Sequence, residues 1–293
     1  MIVQKTKNCL KCFWLFSRTR EEEDGVDGSY YVALKDLVDD EELVLRSVAE
    51  ARVELANCRN KMLRKVNLDF DSYQEDEEDI IPKLLATLDT GSIEKLRLRA
   101  TGVKPQSLSA LLLSTSWSSL ITLEWAWGPL TIPVCRAIAD SCQSLRSLSI
   151  RFGLEPLEQI IPCLTALSPL GNQLQELALL GCGLQPKHIP QLVMHFLGPR
   201  SKLTRLSLAG CQEQENYILQ AGLKHLLQAP RLPFITHLNL EACGLTLDAL
   251  TLLCTNKSRL KRLSTLLILR CNLFDSSARS KLERAFGSAV VIV

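Results

Sequence analysis

The sequence lacks the short motifs that mark the common catalytic sites. It contains no G-x-G-x-x-G, G-x-x-x-x-G-K-[ST], H-E-x-x-H or G-x-S-x-G pattern. Its four histidines, His188, His195, His225 and His237, form no metal-binding or catalytic motif, and no second C-x-x-C or H-x-x-x-H pair accompanies the one formed by Cys9 and Cys12. We therefore expect a protein that is not an enzyme, with no catalytic residue, no metal and no cofactor.

Long apolar runs are also missing. No stretch of about 18 apolar residues is present that could span a bilayer. No signal peptide is evident, because the apolar stretch 9–16 is short and no small-residue cleavage site follows it before the acidic run. The sequence therefore predicts an intracellular, cytoplasmic protein, with the nucleus as the alternative.

The chain has no strong excess of either charge. It carries 34 Lys and Arg against 32 Asp and Glu, a formal net charge of +2. Residues 1–90 hold 13 basic and 20 acidic residues, a balance of −7, and residues 91–293 hold 21 and 12, a balance of +9. Binding to nucleic acid would require a more concentrated basic surface, so we expect a protein partner and not nucleic acid.

What the sequence does have is a recurring pattern of apolar residues. Hydrophobic residues make up 46% of the 293 positions, which is enough for a large core. In residues 174–184, LQELALLGCGL, Leu177 and Leu179 alternate with Ala178 at the strand period of two, and Leu184 begins an apolar pattern at helical spacing. Each unit is therefore predicted to form a strand, a turn and a helix.

At these residues the chain resembles a leucine-rich repeat protein, whose unit is L-x-x-L-x-L-x-x-N/C-x-L. Eight repeats are recognised by their first apolar residue: Leu63, Ile93, Leu120, Leu145, Leu174, Leu203, Ile235 and Leu263. The steps between them run from 25 to 32 residues, so the resemblance is to the ribonuclease-inhibitor-like class. It implies an α/β solenoid, or horseshoe, with a parallel β-sheet on the concave face and α-helices on the convex face.

Two sets of residues support this alignment. Prolines fall 11 to 13 residues after four repeat starts, where a convex helix should begin: Pro105, Pro133, Pro156 and Pro186. Cysteines occupy the N/C position of four repeats: Cys182, Cys211, Cys243 and Cys271. We expect these thiols to be reduced, and to act as weak donors to the neighbouring turn.

The pattern divides the chain into three parts. Residues 1–29 form a basic and aromatic segment followed by an acidic one, which we expect to be flexible. The spacing of apolar residues in 30–61 predicts a helical flank that caps the first repeat. Residues 62–293 form the repeat domain, with an acidic insertion at 69–79 and a capping strand at 289–293.

The first segment leaves alternatives open. Residues 9–20 combine aromatic and basic side chains with Cys9 and Cys12, which could support membrane attachment through acylation. The same two cysteines are half of a zinc site. The simplest interpretation is a terminus that is poorly ordered or whose aromatic residues pack on the first repeat.

The predicted function is binding of another protein on the concave face, by a non-enzymatic adaptor that we expect to be a monomer. Residues beside the buried leucines face the concave side, and a basic patch near the start of the sheet favours an acidic segment of the partner. The candidate partner-binding residues are Lys95, Arg97, Arg99, Arg151, Glu176, Ala178, Leu180, Arg205, His237, Asn239 and Glu241.

Three hypotheses accompany this prediction. The acidic insertion 69–79 could fold over Arg97 and Arg99. The chain could be a GTPase activator that resembles the Ran-activating leucine-rich repeat family, which requires an arginine from a loop near the phosphates. It could also be a substrate receptor of a ubiquitin ligase, in which residues 30–60 would bind a scaffold subunit.

Overall fold

The computed structural model describes residues 42–46, 50, 53, 63–70, 80–100, 104–126, 130–151, 157–210, 216–268, 270–271, 276–287 and 291–292. All of them belong to residues 40–293, the second of two units into which the chain divides. The flexible segment predicted for 1–29 therefore lies outside the described residues, as do the remaining acids of the insertion, at 71–79.

The described residues form one parallel β-sheet whose strands follow each other in chain order. The ten strands are β1 Glu42–Leu45, β2 Lys65–Phe70, β3 Lys95–Ala100, β4 Thr122–Ala126, β5 Ser147–Arg151, β6 Glu176–Leu180, β7 Arg205–Ser207, β8 His237–Asn239, β9 Thr265–Leu267 and β10 Val291–Ile292. Each strand from β2 to β9 begins two residues after a predicted repeat start, so the predicted repeat register is confirmed.

One α-helix follows each of these eight strands along the chain. In the described residues the helices are α1 Ile80–Thr87, α2 Pro105–Ser114, α3 Ile132–Ser141, α4 Ile160–Ala166, α5 Ile189–Phe196, α6 Leu219–Leu227, α7 Leu247–Thr255 and α8 Ser276–Phe286. Pro105 and Pro133 lie in the first turn of α2 and α3, and Pro186 opens a 3-10 turn before α5. Proline has no backbone N–H, and an N–H in the first turn of a helix has no intrahelical acceptor, so these positions tolerate proline.

The core lies between the sheet and the helices, and it is continuous from repeat to repeat. Alternate residues of every strand from β2 to β9 point into it, for example Leu177 and Leu179 of β6, which are 1% and 0% exposed. Replacing one such leucine with alanine costs about 2–5 kcal/mol of stability. Trp117 and Trp125 are buried in the same core, and Trp127 lies outside the described residues.

A ladder of side-chain donors connects the turns of successive repeats. Three cysteine thiols donate to the carbonyl of the third apolar residue of the preceding repeat: Cys182 to Ile150 at 3.5 Å, Cys243 to Leu208 at 3.0 Å and Cys271 to Leu240 at 3.3 Å. Burial raises the pKa of the Cys243 and Cys271 thiols, so both stay protonated and can donate. These cysteines are free, as the repeat pattern predicts.

In the repeat that begins at Leu203, Asn216 makes the contact that a cysteine makes in the other three repeats. Asn216 is fully buried, and its Nδ2 donates to the carbonyls of Leu179 at 2.8 Å, Leu208 at 2.8 Å and Ala209 at 3.0 Å. Cys211 lies outside the described residues. The step from Leu203 to Ile235 is 32 residues, and the additional residues shift the ladder position along the chain.

The N-terminal edge differs from the helical cap predicted for residues 30–61. Most of that range lies outside the described residues; within it Glu42–Leu45 is a strand, whereas Glu50 and Val53 are helical, as predicted. It pairs in parallel with β2, from Glu42 opposite Lys65 to Leu45 opposite Leu68. The backbone hydrogen bonds available along β2 outweigh the helical spacing of the apolar residues in this stretch. At the opposite edge, Val291 and Ile292 pair in parallel with Leu266 and Leu267 of β9.

Candidate functional site

The candidate site is the concave face, defined here as the sheet face that points away from the helices. The strand register arranges its residues in three rows that cross the strands. The rows run Lys65, Lys95, Thr122, Ser147, Glu176, Arg205, His237, Thr265; then Asn67, Arg97, Glu124, Ser149, Ala178, Ser207, Asn239, Leu267; then Asp69, Arg99, Ala126, Arg151, Leu180. Neighbours in a row are close enough for their side chains to interact.

The first group of charges on this face is the N-terminal charge cluster, made of Asp69, Lys95, Arg97, Arg99 and Glu124. Glu124 contacts two cations, because its Oε1 lies 2.8 Å from Lys95 Nζ and its Oε2 lies 3.6 Å from Arg97 Nε. Arg99 Nη1 donates to Asp69 Oδ1 at 3.1 Å. The predicted basic patch is therefore present, but it is assembled around two carboxylates.

Side chains in the N-terminal charge cluster differ in their exposure. The side chain of Lys95 is 47% exposed, whereas those of Arg97 and Arg99 are 28% and 22% exposed. Glu124 is the most enclosed member, at 15%. A partner would therefore meet the three cations before it meets the carboxylate that holds two of them together.

A band of small side chains follows this cluster and crosses β4 to β7. Its members are Ala126, Ser147, Ser149, Ala178 and Ser207. Ala178 and Ser207 are 9% and 6% exposed. Arg151, which the sequence places on this face, is also buried at 7%. The side chains of this band therefore extend less far from the sheet than the charged side chains beside them.

The second group of charges is the C-terminal charge cluster, made of Glu176, Arg205, His237, Glu241 and Arg270. Glu176 Oε1 lies 3.8 Å from Arg205 Nε, and Arg205 lies opposite His237 in the strand register. Burial lowers the pKa of His237, the positive charge of Arg205 lowers it further, and Glu176 raises it. Thr236 Oγ1 lies 2.8 Å from His237 Nδ1.

Asn239 and Glu241 are more enclosed than their positions in the sequence indicate. They are 6% and 7% exposed, and Asn239 Oδ1 accepts a hydrogen bond from the Glu241 N–H at 2.9 Å. This is an Asx turn, which shapes the chain at the end of β8. Arg270 Nε lies 3.7 Å from Glu241 Oε1. Arg270 was not predicted as a site residue, because its contact with Glu241 depends on the turn after β9.

The described part of the chain has no feature of a metal site or of a membrane-spanning helix. Among the described residues, no group of three or more His, Cys, Asp or Glu side chains could hold a metal ion. None of the helices in the described ranges is long and apolar enough to cross a membrane. His188 and His195 lie on the convex side, and His188 Nδ1 accepts from the Gln185 N–H at 3.0 Å.

These features define the class of protein. A continuous parallel sheet, one helix after each strand and a Cys/Asn ladder between the turns are the structure of a leucine-rich repeat solenoid. The solved structure of the leucine-rich repeat-containing protein LegL7 from Legionella pneumophila is similar, with a TM-score of 0.52 and 16% identity over 85% of this chain and 80% of that chain. The chain is therefore a leucine-rich repeat protein by fold.

A second solved structure, of a protein from Bacteroides fragilis, has a TM-score of 0.42 and 15% identity over 86% of this chain and 73% of that chain. No protein-family model matches the sequence. No curated protein matches it either. The charges and side-chain sizes on the surface of this chain are therefore the basis for its function.

Proposed function

We propose that the chain is a non-enzymatic interaction module of the ribonuclease-inhibitor-like class, and that it binds another protein on the concave face. The observation that carries the proposal is the arrangement of this face, in which the small-residue band on β4 to β7 overlaps at its ends with two charge clusters, one on β2 to β4 and the other from β6 to the turn after β9. Fold alone does not define function in repeat proteins, whereas the side chains of this face determine which partner it can bind.

The small-residue band supports close approach of a partner. Side chains such as Ser149 and Ala178 extend only a short distance from the sheet, so a helix or an extended segment can come near the strands between the two clusters. The charged groups on both sides would then meet polar groups at the rim of the interface. This matches the usual anatomy of interfaces, in which a desolvated centre is surrounded by polar contacts.

The charges indicate which kind of segment would bind. The N-terminal charge cluster has three cations and two carboxylates, so it retains a positive balance that favours acidic groups of a partner. Ion pairs of this exposure contribute about 0–1 kcal/mol each, so a partner carboxylate can replace Glu124 or Asp69 at low cost. The C-terminal charge cluster has both signs and would instead determine orientation.

The test is affinity capture followed by mass spectrometry with a concave-face triple variant, Arg97→Glu, Arg99→Glu and Ala178→Arg. The matched control makes the same types of change on exposed positions of convex helices: Ala110→Arg, Arg136→Glu and Lys224→Glu. Circular dichroism and thermal unfolding establish that both variants are folded. We expect partners to be lost from the concave-face variant and kept by the control.

A single substitution in the small-residue band distinguishes loss of the binding surface from local unfolding of the N-terminal charge cluster. Ala178→Arg alone changes no ion pair and places a long side chain in the small-residue band. It should reduce binding of the same partners. If the triple variant and Ala178→Arg both retain every partner of the original chain, binding does not use the concave face and the proposal is wrong.

A further inference from the structure

A groove of about 460 Å³ lies between α7 and α8, on the helical side of the last two repeats. Its lining combines apolar side chains, a thiol and three cations. The residues that matter here are Leu250, Cys254, Ala285, Lys257, Lys281 and Arg284. Leu250 is buried, whereas all three cationic residues are exposed, so the groove has an apolar floor and a positive rim.

The cations of this rim have no acidic partner in the described part of the chain. No carboxylate there pairs with Lys257, Lys281 or Arg284, and the Arg284 Nε donates to the Ser280 carbonyl at 3.3 Å. Burial raises the pKa of Cys254, and the positive charges of Lys281 and Lys257 lower it, so both ammonium groups lie near the sulfur. Three like charges around one groove repel each other, and a bound anion would offset this repulsion.

The helix dipoles explain only part of this arrangement. Lys257 and Arg284 lie near the C-terminal ends of α7 and α8, where a cation is favoured by the helix macrodipole. Lys281 lies more than one turn before the end of α8 and gains little from it. Its position on the groove is therefore an independent sign that the groove accommodates negative charge.

We propose that this α7–α8 groove binds an acidic peptide segment of a partner protein, in which carboxylates flank an apolar side chain. The carboxylates would contact Lys257, Lys281 and Arg284, and the apolar side chain would pack on Leu250 and Ala285. The groove is an open channel between two helices, and it does not enclose a ligand as small-molecule pockets do. It is separate from the concave face, so the chain would bind two segments at once.

The experiment uses the full chain and a short fluorescein-labelled peptide in which glutamates alternate with leucines. Fluorescence anisotropy measures its binding, beside a peptide with glutamine in place of glutamate and one with glycine in place of leucine. Peptide-resolved alkylation by iodoacetamide gives a second readout. Cys254 is the one cysteine among those described that is not buried, and the bound peptide should protect it.

Matched variants locate the binding. Lys281→Glu with Arg284→Glu should weaken binding of the acidic peptide by about tenfold or more. Lys202→Glu with Lys224→Glu makes the same change in net charge at exposed positions outside the groove and should leave the affinity within about twofold. Ala285→Trp fills the groove without a change of charge and should also abolish binding.

Several results would overturn the proposal. These are equal binding of the glutamine peptide, equal loss of affinity in both charge-reversal variants, or binding without protection of Cys254. Binding of phosphatidylserine vesicles in preference to the peptide would assign the groove to a membrane surface instead. The concave-face triple variant should bind the peptide normally, so failure here is distinguishable from failure of the proposed function.

Discussion

Asp69 and Arg99 lie directly opposite each other on β2 and β3, and Arg99 Nη1 donates to Asp69 Oδ1 at 3.1 Å. Asp69 is the first acid of the predicted insertion, yet it is a strand residue, because β2 continues to Phe70. One acid of that insertion thus contacts the basic patch. Whether the remaining acids at 71–79 also fold over Arg97 and Arg99 remains a hypothesis.

The Asp69–Arg99 pair should have a small but measurable coupling energy. A double-mutant cycle with Asp69→Ala and Arg99→Ala should give about 0.5–1 kcal/mol from urea unfolding, because both side chains are partly shielded from water. The Arg64–Glu94 pair, at 3.8 Å with side chains 57% and 46% exposed, is the control and should give a coupling near zero. Equal coupling energies for the two pairs would show that partial shielding from water does not strengthen the Asp69–Arg99 pair.

The pKa of His237 should respond to its two charged neighbours in opposite directions. Arg205→Ala removes a positive charge and should raise the pKa of His237, whereas Glu176→Gln removes a negative charge and should lower it. Titration by NMR of the imidazole Cε1–H measures both shifts. His195, whose pKa is lowered by burial, lies on α5 and should titrate identically in both variants. Shifts of the same sign would contradict the contacts described.

The same histidines should make folding sensitive to acid. Burial lowers the pKa of His188, His195 and His237 below the ordinary value of about 6.5. The unfolded chain therefore binds protons at a higher pH than the folded chain does. The free energy of unfolding should decrease as the pH falls from about 6.5 through the folded-state pKa values, then level off with respect to these groups. Urea unfolding at a series of pH values measures this, and replacing the three histidines with glutamine should flatten the profile.

Asn216 should be among the most sensitive polar positions of the repeat domain. Asn216→Ala leaves the Leu184 N–H and three carbonyls without this side chain, and should destabilise the protein by about 3 kcal/mol. Asn216→Cys supplies one donor, as cysteine does elsewhere in the ladder, and should cost less. Asn172→Ala, at an exposed position, is the control in chemical unfolding. A loss at Asn216 no larger than at Asn172 would refute the ladder role.

Gly171 should not tolerate a larger residue. A Cβ atom at this position would lie 1.9 Å from the His195 carbonyl oxygen, a backbone atom of α5 in the next repeat. Gly171→Ala should therefore cost about 3 kcal/mol by separating two repeats. Gly91→Ala is the control, since its Cβ would meet two side-chain atoms, Asp89 Oδ1 at 3.3 Å and Ser118 Oγ at 4.0 Å, and it should change stability by less than about 0.5 kcal/mol. Equal melting temperatures would contradict this.

The repeat register could be predicted from the sequence because the sequence shows both the strand period of two and the repeat length. Leu177 and Leu179 alternate at the strand period, and the return of the pattern after about 29 residues aligns every strand with the next. Local alternation determines which side chain enters the core, and the repeat length determines which residues become neighbours. The rows of the concave face, including Arg97 beside Glu124, follow from these two facts.

Other features could not be read from single repeats. The contact of Glu124 with both Lys95 and Arg97 depends on side-chain conformations across two strands, and the burial of Arg151, Asn239 and Glu241 depends on how neighbouring repeats pack. The role of Asn216 does not follow from the repeat pattern, because Asn216 lies 13 residues after Leu203 and the pattern places the ladder residue eight after a repeat start; the long step of 32 residues is the one usable signal.

The sequence by itself determined the solenoid, its strand register and the residues available on each face, because these depend on spacing along the chain. Only the tertiary structure decided that Glu42–Leu45 joins the sheet, that the basic patch is built on Asp69 and Glu124, and that α7 and α8 leave a cationic groove between them. Each of these depends on groups that are far apart in sequence and adjacent in space, where pairing energy outweighs local preference.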